Sequence, residues 1–251
     1  MSRLDELIAE LCPNGVEYKS LGEIATIARG GNFQKKDFCD RGVPCIHYGQ
    51  IYTKYGLFTD KTITFITEEG AKKQKFAKTN DIIMAVTSEN IEDVCKCLAW
   101  LGNEDVAVSG HSAIISHNQN PKYLVYYFHS QMFFIQKRKL AHGTKVIEVT
   151  PDTLKSIKLP VPPLEVQREI VHILDSFTLL TAELTAELTA RKKQYEFYRN
   201  KMLTFDSQEE KHLKLLGEHL LKLQTFQLAR VTLMMRLKMV CILSMCVHRS
   251  L

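Results

Sequence analysis

Two segments hold residue types that could do chemistry at close spacing. Ser109-Gly110-His111-Ser112 places hydroxyls beside an imidazole, and Cys95-Lys96-Cys97 places two thiols one residue apart. Neither is complete. A nucleophile and its base must meet in space with a third group orienting the base, and adjacency along the chain does not supply that. The first segment therefore reads as a turn with a hydrogen-bonding histidine. A zinc pair needs Cys-x-x-Cys or His-x-x-x-His spacing and companion ligands, which are missing here, so no metal site is expected. The glycines include no G-x-G pair, which removes the dinucleotide loop and the usual S-adenosylmethionine-type turn; a G-x-x-x-x-G-K phosphate loop is also missing. No carboxylate pair with a lysine follows Pro151-Asp152 at nuclease-like spacing, and Val161 before Pro162-Pro163 breaks the amino-methyltransferase motif. The chain is expected to carry no catalytic residue.

What remains is recognition chemistry. Basic and polar clusters fall in loop-like segments: Gln34-Lys35-Lys36, His47-Tyr48-Gly49-Gln50, Lys72-Lys73-Gln74-Lys75, Thr87-Ser88-Glu89-Asn90, and Lys137-Arg138-Lys139 through Lys145. Cations suit phosphates, whereas Gln, Asn and similar side chains can read base edges in a major groove. Lys35, Lys36, Lys137, Arg138 and Lys145 are thus phosphate candidates, and Gln34, Gln50, Asn90 and His111 are base-reading candidates. Tyr48, Tyr52 and Tyr55 interleave with them. Each cluster alone reads better as a solvated loop, and only together do they point to nucleic acid.

The elements that must position these groups are those of an ordinary globular chain. Of 251 residues, 45% are hydrophobic and 24% charged, which excludes a wholly disordered chain and a multi-span membrane protein. Met1-Ser2 runs into the charged Arg3, Asp5 and Glu6 without the apolar core of a signal peptide, and seven cysteines read as reduced thiols; a cytoplasmic protein is expected. Most of the net charge of +5 sits after residue 217, where Lys222, Arg230, Arg236, Lys238 and Arg249 face only Glu218. Bulk charge therefore does not announce a nucleic-acid binder. Those cations also interrupt the apolar tail, and no membrane anchor is expected.

Leu4, Leu7, Ile8 and Leu11 share one face of a short helix that stops at Cys12-Pro13-Asn14-Gly15. Short strand-like runs follow, including 43–46, 62–66, 81–86 and 112–115, and one helical stretch is expected over Pro121–Leu140. The fold class is α+β. Beyond Pro160-Val161-Pro162-Pro163 comes the strongest periodic signal. Ile170, Leu174, Phe177, Thr181, Leu184, Leu188, Arg191, Tyr195, Tyr198, Met202 and Phe205 alternate steps of four and three, an a/d register. A helix over Leu164–Thr204 would be about 60 Å long. One domain cannot cover so long a stripe, so Ile170, Leu174, Phe177, Leu184, Leu188, Tyr195 and Met202 are expected to pair with a second helix. Within it Thr181-Ala182-Glu183-Leu184 repeats as Thr185-Ala186-Glu187-Leu188, a unit whose copy number would work as a length ruler.

Together these segments resemble the DNA-specificity subunit of type I restriction–modification enzymes. The most specific part is Ile157-Lys158-Leu159-Pro160-Val161-Pro162-Pro163-Leu164-Glu165-Val166-Gln167-Arg168-Glu169-Ile170-Val171; Leu21-Gly22-Glu23-Ile24 to Arg29-Gly30-Gly31 and Ala107-Val108-Ser109-Gly110-His111 add to it. The resemblance implies a mixed target-recognition domain over 1–163, then a long coiled-coil-type spacer helix over 164–206. It implies double-stranded DNA as a partner, read as a bipartite site. It also implies a methyltransferase (modification) subunit and a restriction subunit, on which S-adenosylmethionine, ATP and Mg2+ would act. Full-length members carry two recognition domains and two helices, and this chain has room for one copy, so self-association through the helix is expected. Leu216-Gly217-Glu218 repeats Leu21-Gly22-Glu23 where a second domain should begin, and permitted codons for the segment after Glu218 also yield a domain-like sequence in a shifted frame. The tail over 207–251 is therefore expected to be out of frame. The alternative is a defective fragment or helical adapter that binds methyltransferase subunits without reading DNA.

Overall fold

Ile82-Ile83-Met84-Ala85 is apolar without alternation, and the computed structural model, which describes residues 2–204, shows the cause. This strand, Ile82–Ala85, is covered on both faces. It lies in the middle of a five-stranded sheet with the order Ala25–Arg29, Ser112–His117, Ile82–Ala85, Cys97–Trp100, Phe58–Thr59. All neighbours are antiparallel except the last pair. The register sets Ile83 beside both Ile114 and Leu98. Successive side chains point to opposite faces, so Ile83, Leu98 and Ile114 pack with Ile46, Ile51, Val106 and Val108. Ile82, Met84 and Ile115 pack on the other side with Leu124, Phe128, Phe133 and Leu154. Each such buried side chain contributes about 1.5–3 kcal/mol.

A second five-stranded sheet supplies the first of those covers. Its order is Phe38–Cys39, Thr64–Ile66, Val43–Ile46, Val106–Val108, Lys75–Ala77, with Val43–Ile46 parallel to Val106–Val108. Two small antiparallel pairs complete the strand set: Tyr18–Ser20 with Lys158–Pro160, and Thr87–Ser88 with Ile147–Glu148.

The helical cover differs from the sequence expectation in one respect. Pro121–Leu140 is two helices, Pro121–Phe128 and Gln131–Leu140. Ser130 caps the second, its hydroxyl accepting from Phe133 N at 3.3 Å. Such a local side-chain bond competes with helical continuation. The break lets Phe128 and Phe133 meet edge to face at 5.0 Å inside the core.

The long helix spans Leu164–Leu203, 40 residues with no Gly or Pro inside. The first compact unit ends at Leu179, within this helix, and the second begins at Leu180. In the first unit Val166, Gln167 and Val171 are buried, and Ile170 packs against the domain core. Ile170, expected in the pairing seam, is thus committed to its own domain; Leu174 is half-buried. Phe177 is 58% exposed. In the second unit Leu184, Leu188, Tyr195 and Met202 are 48%, 56%, 66% and 37% exposed. The tetrapeptide repeat has its own hydrogen-bond signature: Thr185 Oγ1 donates to Thr181 O at 2.8 Å, and Thr189 Oγ1 to Thr185 O at 2.9 Å. No helix among the described residues is long and apolar enough to cross a membrane. Phe205, Leu216-Gly217-Glu218 and the expected out-of-frame tail lie outside the described residues.

Candidate nucleic-acid interface

Loops far apart in sequence meet at the end of the central sheet. The crossing begins with glycines. Gly31 N donates to Val108 O at 2.6 Å, and Gly30 N to Ser112 O at 2.9 Å. A Cβ on Gly30 would stand 2.2 Å from Ser109 O, and one on Gly110 2.7 Å from Gly31 O. Arg29-Gly30-Gly31 and Ser109-Gly110-His111 can lie against each other only because these positions lack side chains.

His111 then becomes the hub. Its carbonyl accepts from Val86 N at 2.9 Å, and its Nδ1 lies 3.2 Å from the Thr87 hydroxyl. The Tyr48 ring packs against its imidazole at 4.9 Å, and the His47 ring against Tyr48 at 4.5 Å. Ser109 Oγ accepts from Tyr48 N at 2.8 Å, so the buried hydroxyl beside His111 holds a loop. Tyr52 Oη donates to Thr87 O at 2.8 Å. Arg29 ties the far side, with Nε donating to Gly110 O at 2.9 Å and its guanidinium paired with Glu148.

Glu148 sits opposite Thr87 in the small sheet, and its backbone bonds both ways with His142. This closes the loop that presents Lys145. Gly143 makes the bend at a φ of +106°, where a Cβ would lie 2.0 Å from Val146 O. On the other flank, His47 caps the helix Tyr48–Thr53, its Nδ1 accepting from Gly49 N at 3.2 Å. Burial, then the Lys35 ammonium and the neighbouring His111, push its imidazole down to about 4. It is a neutral acceptor, as its capping bond requires.

Gln34, Lys35, Lys36, Asn90, His111 and Lys145 are all exposed; of these the structure ties His111 directly to the framework, Lys35 to it through His47 and Gly49, and Lys145 through the loop closed on Glu148. Asn90 is partly occupied, since Oδ1 accepts from Asp93 N at 2.8 Å and Nδ2 donates to Asp93 Oδ2 at 2.9 Å. Arg138 is exposed on the last turn of its helix, outside that framework.

Two candidates need correction. Lys137 is buried, and its ammonium donates to Glu92 O at 2.8 Å and Val94 O at 2.6 Å. Desolvation holds it below the usual lysine range, partly offset by Cys95 and Asp93. It cannot meet a phosphate without leaving the core. Gln50 is also buried. Its Oε1 accepts from His47 N at 2.9 Å and its Nε2 donates to Thr64 Oγ1 at 3.1 Å. That side chain braces the loop instead of reaching a base. Cys95 and Cys97 lie inside the core, where burial pushes the Cys95 thiol up to about 12 and holds the Cys97 thiol well above its ordinary range.

Sequence reading passed over Arg29 and Glu148 as site residues. Arg29 lay in a segment already noted for its glycines; Glu148 gave no signal.

A mixed α+β domain that gathers loops at one end of its sheet and passes into a long helix defines a class of recognition module. The family model for the type I restriction modification DNA specificity domain matches residues 13–191, and the chain belongs to that family. It is similar to the type I restriction enzyme EcoR124I/EcoR124II specificity subunit of Escherichia coli, at 31% identity over 208 residues, covering 77% of this chain and 50% of the relative. The MjaVIII specificity subunit of Methanocaldococcus jannaschii is 26% identical over 198 residues, 76% of this chain and 46% of that one. The chain spans about half the length of these relatives. Among solved structures, the HsdS subunit from Thermoanaerobacter tengcongensis matches with a TM-score of 0.51 at 20% identity, over 73% of this chain and 44% of that one. A chain from a type I R-M system assembly matches with a TM-score of 0.56, also at 20% identity, over 78% and 48%. These two likenesses show the fold.

Proposed function

We propose that this chain is a half-length, non-catalytic specificity subunit that recognises double-stranded DNA for a type I restriction–modification enzyme. The observation that supports this best is the framework of packed rings and paired strands around exposed His111, with Lys35 beside His47 and Lys145 on the loop closed by Glu148. Loops braced in this way can hold polar groups against base edges, with lysines on the flanking phosphates. A modification subunit and a restriction subunit in the cytoplasm would supply the S-adenosylmethionine, ATP and Mg2+ chemistry. Two copies paired through the exposed stripe of Leu184, Leu188, Tyr195 and Met202 would restore two-fold symmetry and read a palindromic bipartite site.

The test is duplex binding by this chain together with the modification subunit of its own genome, combined with genome-wide mapping of modified bases. Steeply salt-dependent binding and a bipartite palindromic motif are expected. A complex that forms but adds no DNA binding to that of the modification subunit alone would favour the helical-adapter reading.

A further inference from the structure

Gln167 is fully buried although it is polar and lies on the long helix, and every polar atom of its amide is used. Its Oε1 accepts from Asn120 N at 3.0 Å, and its Nε2 donates to Gln119 Oε1 and to Pro162 O, each at 2.8 Å. Asn120 in turn caps the helix Pro121–Phe128, its Oδ1 accepting from Lys122 N at 3.0 Å and Tyr123 N at 3.2 Å. Farther along the long helix, Asp175 takes up the same partner helix. Its Oδ2 accepts from Lys122 Nζ and its Oδ1 from Tyr126 Oη, both at 2.6 Å. Lys122 is itself held over the Phe58 ring at 4.5 Å.

Eight residues separate Gln167 from Asp175, about 12 Å of helix. One attachment would be a pivot, whereas two so far apart fix a direction. Direction matters because the helix is long: a deflection of about 5° at the base of a helix of about 60 Å moves its far end by about 5 Å. That exceeds the 3.4 Å or so of helix axis that one base pair occupies.

We propose that Gln167 and Asp175 form a two-point latch that holds the start of the long helix at one angle on the recognition domain, and so restricts the paired chains to one spacing between half-sites. This rests on the DNA-recognition reading above. The two are positioning residues and touch no base.

The experiment uses the full chain with the modification subunit of its own genome, mapping modified sites for the wild type, Gln167→Met and Asp175→Ala. The wild type should show one spacer length. Each variant should keep the same half-site bases and add sites whose spacers are longer or shorter by one or more base pairs. A merely structural role would lower modification at the original spacing without adding new ones, and that result, or unchanged single spacing, overturns the latch alone. Should Gln167→Met fail to fold, Asp175→Ala decides, since its side chain is a third exposed. A wild-type chain that directs no bipartite modification overturns the functional reading and the latch with it.

Discussion

Thr87 and His111 meet side chain to side chain at 3.2 Å, hydroxyl against Nδ1, across 24 residues of sequence. That contact joins the strand paired with the Lys145 loop to the ring stack of Tyr48 and His47. Thr87→Val keeps the shape and removes the hydroxyl. A net hydrogen bond of this kind is worth about 1 kcal/mol, or about fivefold in an equilibrium. Cognate duplex binding should weaken by that factor, and adding Thr87→Val to His111→Ala should weaken it no further. Additive losses in the double-mutant cycle would show that the contact does not orient His111.

The lysines should divide into two groups. Replacing Lys35, Lys36 and Lys145 together by Ala should weaken binding to all sequences alike and flatten the salt dependence, by about one unit of slope for each phosphate left without its lysine. Lys137→Met should leave that slope unchanged. It strips the donor from the buried Val94 carbonyl, at about 1–3 kcal/mol, and from the Glu92 carbonyl as well, so thermal melting should drop instead. A changed salt slope for Lys137→Met would return it to the interface.

His47 predicts a pH dependence. Its imidazole titrates near 4 in the fold and near its ordinary 6.5 once unfolded. Between those values the unfolded chain binds more protons, so this contribution to stability is full above about 6.5 and is lost as pH falls toward 4. His117 and His129, also lowered chiefly by burial, act in the same direction. His47→Asn keeps a good helix cap without the titration. Melting temperature measured from pH 7 to pH 4 should fall less steeply in this variant; an identical profile would remove His47 from the account.

Leu184→Glu with Leu188→Glu tests the seam. Both side chains are about half exposed on the chain itself. Charges there would be unpaired and desolvated between two helices. Molar mass by light scattering should fall from that of a pair to that of one chain. A mass unaffected by the double change would exclude pairing along this stripe.

The start and course of the long helix were legible because its signal is sustained: a heptad register with no Gly or Pro between Leu164 and Leu203. Two-residue strands such as Thr87–Ser88 and Ile147–Glu148 have too few positions to show a period, and their pairing joins segments that no local rule connects. The Arg29–Glu148 pair spans 119 residues and was invisible for the same reason. Lys137 and Gln50 were misplaced because residue type was weighed above position. Lys137 follows the buried Phe133 by four residues, which puts both on one helix face. His47 and Gln50 have the spacing of a capping box, with the amide returning to the cap. Both signals were present in the sequence.

The threonines of the tetrapeptide repeat carry a consequence for how such a gene can change. The hydroxyls of Thr185 and Thr189 bond the carbonyl of the threonine four residues earlier, so a duplicated unit would bring its own donor and present its own acceptor. Copying twelve nucleotides in frame would lengthen the helix without a compensating substitution anywhere else. Replication slippage, an ordinary accident at tandem repeats, would then create a viable new protein in a single step, and its reversal would restore the old one.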